Sequence, residues 1–102
     1  QSPALTYGGV TLDPSEASLT YGGVTLELSR NEYRILLTLM ERAGQVVSRE
    51  KLMERLWETD SFVDENTLTV NIGRLRKKLE SIGLSGFIVT RKGMGYALKG
   101  VE

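Results

Sequence analysis

The side chains best suited to chemistry lie in one segment, residues 64–82, with the sequence DENTLTVNIGRLRKKLESI. At 100° per residue its apolar side chains fall on one narrow stripe of a helix: Leu68, Ile72, Leu75, Leu79 and Ile82. The opposite face of this predicted helix holds Asn66, Val70, Gly73, Arg74 and Lys77. No acidic residue occurs between Asn66 and Lys78. A face that offers only hydrogen-bonding groups and positive charge suits a negatively charged partner.

Val70 is the apolar exception on this polar face. Two interpretations are open, because a single exposed valine is common on protein surfaces, and a valine can also contact the methyl group of a thymine. Its neighbours are Asn, Thr and Arg, which form hydrogen bonds to base edges and phosphates. They favour the second interpretation.

The charges of the chain are strongly polarised, although its net charge is zero. Residues 1–65 contain six Lys and Arg against eleven Asp and Glu, whereas residues 66–102 contain seven against two. The net charge is therefore −5 for residues 1–65 and +5 for residues 66–102. Such asymmetry indicates a surface for nucleic acid or a membrane, although charge alone leaves an ordinary solvated face open.

The composition argues against an enzyme. The chain has neither Cys nor His, which excludes disulfides, thiol nucleophiles, histidine bases and Cys/His zinc sites. No nucleophile elbow, P-loop or EF-hand loop occurs, so we expect no catalytic residue, metal or cofactor. The 102 residues suffice for one domain. We find neither an apolar run long enough for a membrane nor a signal-peptide pattern, and we expect a cytoplasmic protein.

Two further helices precede the polar one. In LSRNEYRILLTLMERAG, Ser29 and Glu32 form a capping box at the start of the first helix. Its predicted core face consists of Tyr33, Leu36, Leu37, Met40 and Ala43. The second helix is predicted to begin at the N-cap Ser48 and to end near Trp57. Asp64 is the expected N-cap of the third helix.

The chain begins with the octapeptide LTYGGVTL, which occurs at residues 5–12 and again at 19–26. Two copies fourteen residues apart do not make a repeat protein, which needs a longer period and more copies. Gly-Gly permits positive φ at both turn positions, so each copy predicts a two-residue hairpin. The second copy then pairs Tyr21 with Val24, Thr20 with Thr25 and Leu19 with Leu26. We predict four short antiparallel strands with one apolar face; local duplication and engineering are equally open as the origin of the identity.

The segment GFIVTRKGMGYAL closes the chain as a second type of hairpin. Alternation predicts strands over 87–90 and 96–98. Gly93 and Gly95 permit a tight turn, near whose tip Arg91 and Lys92 are presented. The basic tip is compatible with a nucleic-acid contact and equally with an ordinary solvated hairpin.

Three helices followed by a basic hairpin describe a winged helix-turn-helix, and the chain resembles the C-terminal DNA-binding domain of OmpR/PhoB-type response regulators. The resemblance rests on LSRNEYRILLTLMERAGQVVSREKLMERLW, VDENTLTVNIGRLRKKLE and TRKGMGYAL, in that order and spacing. It implies an α+β fold with a four-stranded antiparallel N-terminal sheet, three helices and a C-terminal β-hairpin wing. On this resemblance we expect residues 5–102 to form the domain, residues 1–4 to be a linker remnant, and the sequence to lack the receiver domain of such regulators.

The resemblance also implies roles for individual residues. The third helix, about 65–82, enters the major groove, and the wing, about 87–98, lies on the backbone or minor groove. The implied base contacts are Asn66, Thr67, Val70, Asn71 and Arg74. The implied phosphate or backbone contacts are Trp57, Arg76, Lys77, Lys78, Thr90, Arg91, Lys92 and Tyr96; for Trp57, Thr90 and Tyr96, packing or hairpin structure is an equal alternative. Gly73 departs from the family, which often carries a long side chain there.

The partners implied by the resemblance are double-stranded DNA at direct-repeat promoter sites and RNA polymerase, through the loop 58–65. Two copies are expected to bind the repeats as a tandem homodimer, while the fragment is expected to be monomeric in solution. The segment DENTLTVNIGRLRKKLESIGL further resembles members that control cell-envelope stress and antimicrobial-peptide resistance. The alternative is a winged helix that docks proteins and does not bind DNA; the acid-free face of the third helix favours DNA.

Overall fold

The computed structural model describes residues 5–42, 44–57, 64–84 and 86–99. Four strands, three helices and two further strands follow one another along the chain: β1 Leu5–Tyr7, β2 Val10–Asp13, β3 Ser18–Tyr21, β4 Val24–Glu27, α1 Arg30–Glu41, α2 Arg49–Trp57, α3 Glu65–Ser81, β5 Ile88–Arg91 and β6 Gly95–Leu98. The first four strands form an antiparallel sheet in the order β1-β2-β3-β4, and β5 and β6 form a separate hairpin. This confirms the predicted winged-helix architecture. Within the described ranges, no helix has both the length and the apolar character to cross a membrane.

The N-terminal sheet has the register predicted from its octapeptides. In the second hairpin Leu19 lies opposite Leu26, and Tyr21 lies opposite Val24; the first hairpin repeats this pairing. Both Gly-Gly turns have positive φ at each glycine, 59° and 82° in the first and 59° and 83° in the second. The register therefore follows from turn chemistry and alternation alone.

The two identical hairpins differ in how deeply they are buried. Val10 of the first copy is 0% exposed, whereas Val24 at the equivalent position of the second is 46% exposed. Contacts with α1 cover β1, and the ring of Tyr7 lies 6.2 Å from that of Phe87. Val10 lies on the inner strand β2, whereas Val24 lies on the edge strand β4; within the described residues, no helix packs against β4 as α1 packs against β1. Identical sequence therefore acquires different burial from its position in the fold.

Helix α1 confirms its predicted cap, and its core face is wider than predicted. The Ser29 side chain accepts a hydrogen bond from the Glu32 N–H at 3.2 Å, and Glu32 Oε1 accepts one from the Ser29 N–H at 2.9 Å. Leu36 and Met40 are buried as predicted, but Tyr33 and Leu37 are only half-buried, and Ala43 lies outside the described residues. Ile35 and Leu39, not predicted, are 0% exposed. The prediction was too narrow because α1 packs against α2 and α3 and also against β1 and β6.

The ends of α2 and α3 agree with the sequence analysis. Ser48 Oγ accepts a hydrogen bond from the Lys51 N–H at 3.1 Å, and α2 ends at Trp57. Asp64 Oδ1 accepts from the Thr67 N–H at 2.8 Å and from its hydroxyl at 2.9 Å. These two hydrogen bonds from Thr67 lower the pKa of Asp64. Of the loop predicted to contact RNA polymerase, residues 58–63 lie outside the described residues.

The core stripe of α3 is confirmed, with one residue less buried than the rest. Leu68, Ile72, Leu75 and Leu79 are at most 2% exposed. Ile82, beyond the last helical residue, is half-buried. The stripe leaves the opposite face of α3 free of the core.

The wing, defined here as residues 88–98, is anchored to the start of α2. Tyr96 exchanges two backbone hydrogen bonds with Val47, at 2.8 and 3.0 Å. Beside it Gly95 has φ 146°, and a Cβ atom there would lie 2.0 Å from the carbonyl oxygen of Val47. Glycine at position 95 is therefore required for the wing to approach the segment between α1 and α2.

Candidate nucleic-acid interface

The face of α3 opposite its core stripe is open to solvent. All five side-chain positions predicted for it are exposed: Asn66, Val70, Gly73, Arg74 and Lys77. Val70 is 42% exposed, one of four large apolar residues with substantial exposure in the described ranges. The buried stripe on the opposite side of α3 orients this face toward solvent. It presents an amide, an apolar branched side chain and two cations along one line of the helix.

Two of the predicted base-contacting residues, Asn71 and Thr67, form hydrogen bonds within the protein. Asn71 is 7% exposed, and its Nδ2 donates to the carbonyl oxygen of Thr67 at 2.8 Å. The Thr67 hydroxyl in turn donates to Asp64 at 2.9 Å. Asn71 lies only about 60° from the core stripe, which explains its burial. In the free protein both side chains are engaged within α3, and their roles in base contacts stay predictions.

Lys78 holds α3 to the start of α1. Its Nζ donates to Glu32 Oε1 at 2.7 Å and to the carbonyl oxygen of Glu27 at 3.0 Å. The Glu32 side chain is 3% exposed and also belongs to the capping box of α1. Two of the three N–H donors of Lys78 are used within the protein, which leaves one for a phosphate. The structure thus gives Lys78 an internal role that the sequence analysis did not foresee.

The ionisation of Glu32 reflects this arrangement. Burial alone raises the pKa of its carboxyl group, but the hydrogen bonds from Lys78 and Ser29 and the charge of Lys78 outweigh that effect. The net result is a lowered pKa. Glu32 is therefore ionised at neutral pH and forms a partly buried ion pair with Lys78.

On its other flank, α3 is joined to the wing by Arg76. Its Nη2 donates to the Thr90 hydroxyl at 2.5 Å, and its guanidinium carbon lies 5.9 Å from the centroid of the Tyr96 ring. This distance permits a cation–π interaction. Tyr96 is 4% exposed, so its ring serves packing, whereas Thr90 is exposed. Three residues predicted separately as backbone contacts thus meet at one junction of helix and wing.

The tip of the wing is basic and exposed. Arg91, Lys92 and Met94 all lie at its surface, with Met94 61% exposed. A shallow cavity of about 290 Å³ separates this turn from the starts of α2 and α3. Arg49 and Glu65 face each other across it at 3.7 Å. The wing tip and the polar face of α3 can therefore contact one extended ligand without disturbing the core.

Trp57 stands apart from this junction at the end of α2. It is 59% exposed and borders a surface groove with Met53, Glu50 and Glu54. Core packing does not explain this exposed indole. Its predicted backbone contact stays a prediction, as does any contact with a protein partner.

In the described part of the chain, no cluster of three or more His, Cys, Asp or Glu residues could hold a metal ion. The exposed polar groups that cluster on α3 and the wing are amide, guanidinium and ammonium groups. These groups donate hydrogen bonds to anionic or carbonyl-type acceptors. The chemistry of the site is that of recognition.

The sequence of this chain is similar to those of known transcriptional regulatory proteins. Residues 23–98 match the family model described as "Transcriptional regulatory protein, C terminal". The sensory transduction protein BceR of Halalkalibacterium halodurans is 41% identical over 99 residues, which are 97% of this chain and 43% of that protein. The chain thus spans less than half the length of this relative.

Solved structures with the same fold include two domains of response regulators. The C-terminal domain of NsrR, a lantibiotic response regulator of nisin resistance, has a TM-score of 0.82 at 48% identity and covers 96% of each chain. The DNA-binding domain of AdeR, solved in complex with an intercistronic region, has a TM-score of 0.82 at 27% identity, over 93% of this chain and 98% of the other. Both coverages extend across the sheet, the helices and the wing.

Proposed function

We propose that this chain, which belongs to the OmpR/PhoB-type family of C-terminal domains of transcriptional regulatory proteins, binds specific sequences in double-stranded DNA. In this proposal it is the output domain of a two-component response regulator that controls transcription. The observation that carries the proposal is the exposed, acid-free face of α3 beside a basic wing. The solved complex of the AdeR domain with DNA supports it.

The geometry suggests how α3 divides its work in the major groove. Arg74 is exposed and can form two parallel hydrogen bonds to O6 and N7 of guanine, a pair of acceptors that no other base offers. Asn66 can pair with adenine in a similar way, and Val70 can contact a thymine methyl group. Thr67 and Asn71 are less available, because the Thr67 hydroxyl already donates to Asp64 and Asn71 is buried. Base recognition therefore centres on three exposed residues.

The wing and the flanks of α3 are suited to the DNA backbone. Lys77, Arg91 and Lys92 are exposed cations without a base-specific geometry, so they fit phosphate contacts. Arg76 presents its guanidinium at the helix–wing junction, already oriented by Thr90 and Tyr96. Orientation before binding reduces the side-chain entropy that a phosphate contact costs. Lys78 is the weakest of these candidates because Glu32 and Glu27 hold it.

Further parts of the proposal concern partners and assembly. Two copies bind direct repeats in tandem, since α3 of a single domain can contact only a few base pairs. RNA polymerase contacts the segment 58–65, and the protein acts in the cytoplasm. The competing function, a docking module for proteins, finds its best support in the exposed Trp57 beside Met53.

A selection from random duplexes tests the proposed function. We expect a repeated motif with a fixed spacing of about one helical turn, and binding of the selected duplex that exceeds binding of a scrambled duplex by about 10³-fold or more. The docking alternative predicts no enriched motif. The matched control is an Asn66→Ala, Arg74→Ala double variant, which should fold normally, because both positions are exposed, and should enrich nothing.

A further inference from the structure

Gly73 occupies the centre of the proposed recognition surface. Helix α3 has 17 residues, Glu65–Ser81, and Gly73 is the middle one. At 100° per residue it lies about 140° from the core stripe, close to the line of Asn66, Val70 and Lys77. This is the part of α3 that comes nearest to a ligand lying along its polar face.

The fold does not require glycine at this position. The glycines with positive φ lie in turns, after helix ends or, for Gly95, at the first residue of β6, and Gly73 is not among them. A Cβ atom added at Gly73 would meet no heavy atom within 4 Å, whereas one added at Gly95 would lie 2.0 Å from a carbonyl oxygen. Any small side chain would therefore fit at position 73 in the free protein.

Glycine is also unfavourable there. It loses more backbone freedom on folding than any other residue and ranks below every amino acid except proline in a helix interior. Gly73 therefore weakens α3 without being needed for packing. Its explanation must lie on the solvent-exposed face of the helix, where it leaves the backbone without a side chain. Glycine's distinctive capacity at such a face is to let backbone approach a ligand closely.

We propose that Gly73 is a specificity-determining residue, a notch that lets the middle of α3 settle against the base edges of the major groove. This inference rests on the proposed function. The notch lies one helical turn from Val70 and next to Arg74 in sequence, so the depth of docking sets how far both side chains reach. A methyl group at position 73 holds the helix away from the bases, while the flexible lysine and arginine contacts to phosphates can adjust.

The test compares Gly73→Ala with the unchanged protein in two measurements. Thermal unfolding should shift upward by about 2–8 °C, because alanine is the better helix former in a domain of this size. Affinity for the selected duplex should fall by about tenfold or more, and affinity for a scrambled duplex should stay within about twofold. Gly73→Leu should enlarge the loss on the selected duplex.

Ser81→Ala is the matched control. It also replaces a small residue of α3 by alanine, but about 12 Å further along the helix axis, where it leaves the notch empty. It should leave the affinity for both duplexes unchanged. If Gly73→Ala binds the selected duplex as the unchanged protein does, or weakens both duplexes equally, the notch is refuted while the proposed function stands. If the unchanged protein itself selects no motif, the proposed function fails first.

Discussion

Single residues of α3 show where sequence reasoning succeeds and where it stops. Helical angle alone correctly predicted the exposure of Asn66, Val70 and Arg74. It could not predict the partners of Lys78, since Glu32 lies 46 positions away in sequence and is brought close only by tertiary packing. Periodicity gives the direction of a side chain, whereas its contacts depend on the elements that pack there.

Arg74 and Lys77 should differ sharply in what their loss does to DNA binding. Arg74→Ala should cost about 1–3 kcal/mol on the selected duplex and much less on a scrambled one, because a bidentate contact to guanine is lost. Lys77→Ala should weaken both duplexes by similar factors and reduce the salt slope by about one, because a phosphate contact is lost. Titrations at several salt concentrations measure both effects. Equal losses on both duplexes for both variants would show that Arg74 does not read a base.

At the scale of elements, α3 is braced on two sides by residues of its C-terminal half. Lys78 ties it to the α1 cap, and Arg76 ties it to the wing through Thr90. The caps, the hairpin registers and the α3 stripe were predictable because each depends on residues close in sequence. The wide core face of α1 was not, because it depends on elements that reach α1 from both sides.

Breaking the Lys78–Glu32 pair should affect stability rather than phosphate binding. Lys78→Met leaves a buried carboxylate without its cation and should lower the free energy of unfolding by about 1–3 kcal/mol. Its salt slope for DNA should match that of the unchanged protein. Denaturant unfolding measures the stability effect, and DNA titration at several salt concentrations measures the salt slope. A salt slope reduced by about one would instead show that Lys78 contacts a phosphate.

The same pair should give the protein an acid-sensitive stability. The folded pKa of Glu32 is lowered, so its ionised form stabilises the fold above the ordinary glutamate value of about 4.3. That stabilisation is lost as pH falls through the lower folded pKa. Glu32→Gln keeps the hydrogen bonds of the capping box but not the charge. It should be less stable than the unchanged protein at pH 7, and the difference should shrink as pH falls through the folded pKa of Glu32; a difference that stays constant into the acidic range would contradict the ion-pair account.

Substitutions at two glycines of the wing can distinguish the cost of a strained backbone from the cost of a steric clash. Gly93 has φ 74° with open space around it, whereas Gly95 has φ 146° and faces the Val47 carbonyl. Gly93→Ala should cost about 1–2 kcal/mol from its left-handed backbone alone. Gly95→Ala should cost clearly more, because the added methyl group must displace the backbone of Val47. Comparable unfolding midpoints for the two variants would mean that the Val47 contact adjusts freely.

At the scale of the molecule, charge polarity should orient the domain on DNA. The cations proposed to contact phosphates are Arg76, Lys77, Arg91 and Lys92. The logarithm of the affinity of one domain should therefore fall with the logarithm of salt concentration with a slope of roughly −3 to −5. Arg42→Ala, which removes an exposed cation at the end of α1, should leave the slope unchanged. A slope near zero would show that phosphate contacts do not drive binding.

The duplicated octapeptide allows two alternative strand pairings during folding. Because the two copies are identical, residues 5–7 can pair with 24–26 as well as with 10–12, in the same register. The correct pairing closes a loop of 2 residues and the exchanged one a loop of 16 residues. Three doublings of loop length favour the correct pairing by only about 2 kcal/mol. Sequence divergence between the copies would therefore be expected to speed folding, since it would remove a competing topology that the present chain rejects by loop entropy and burial alone.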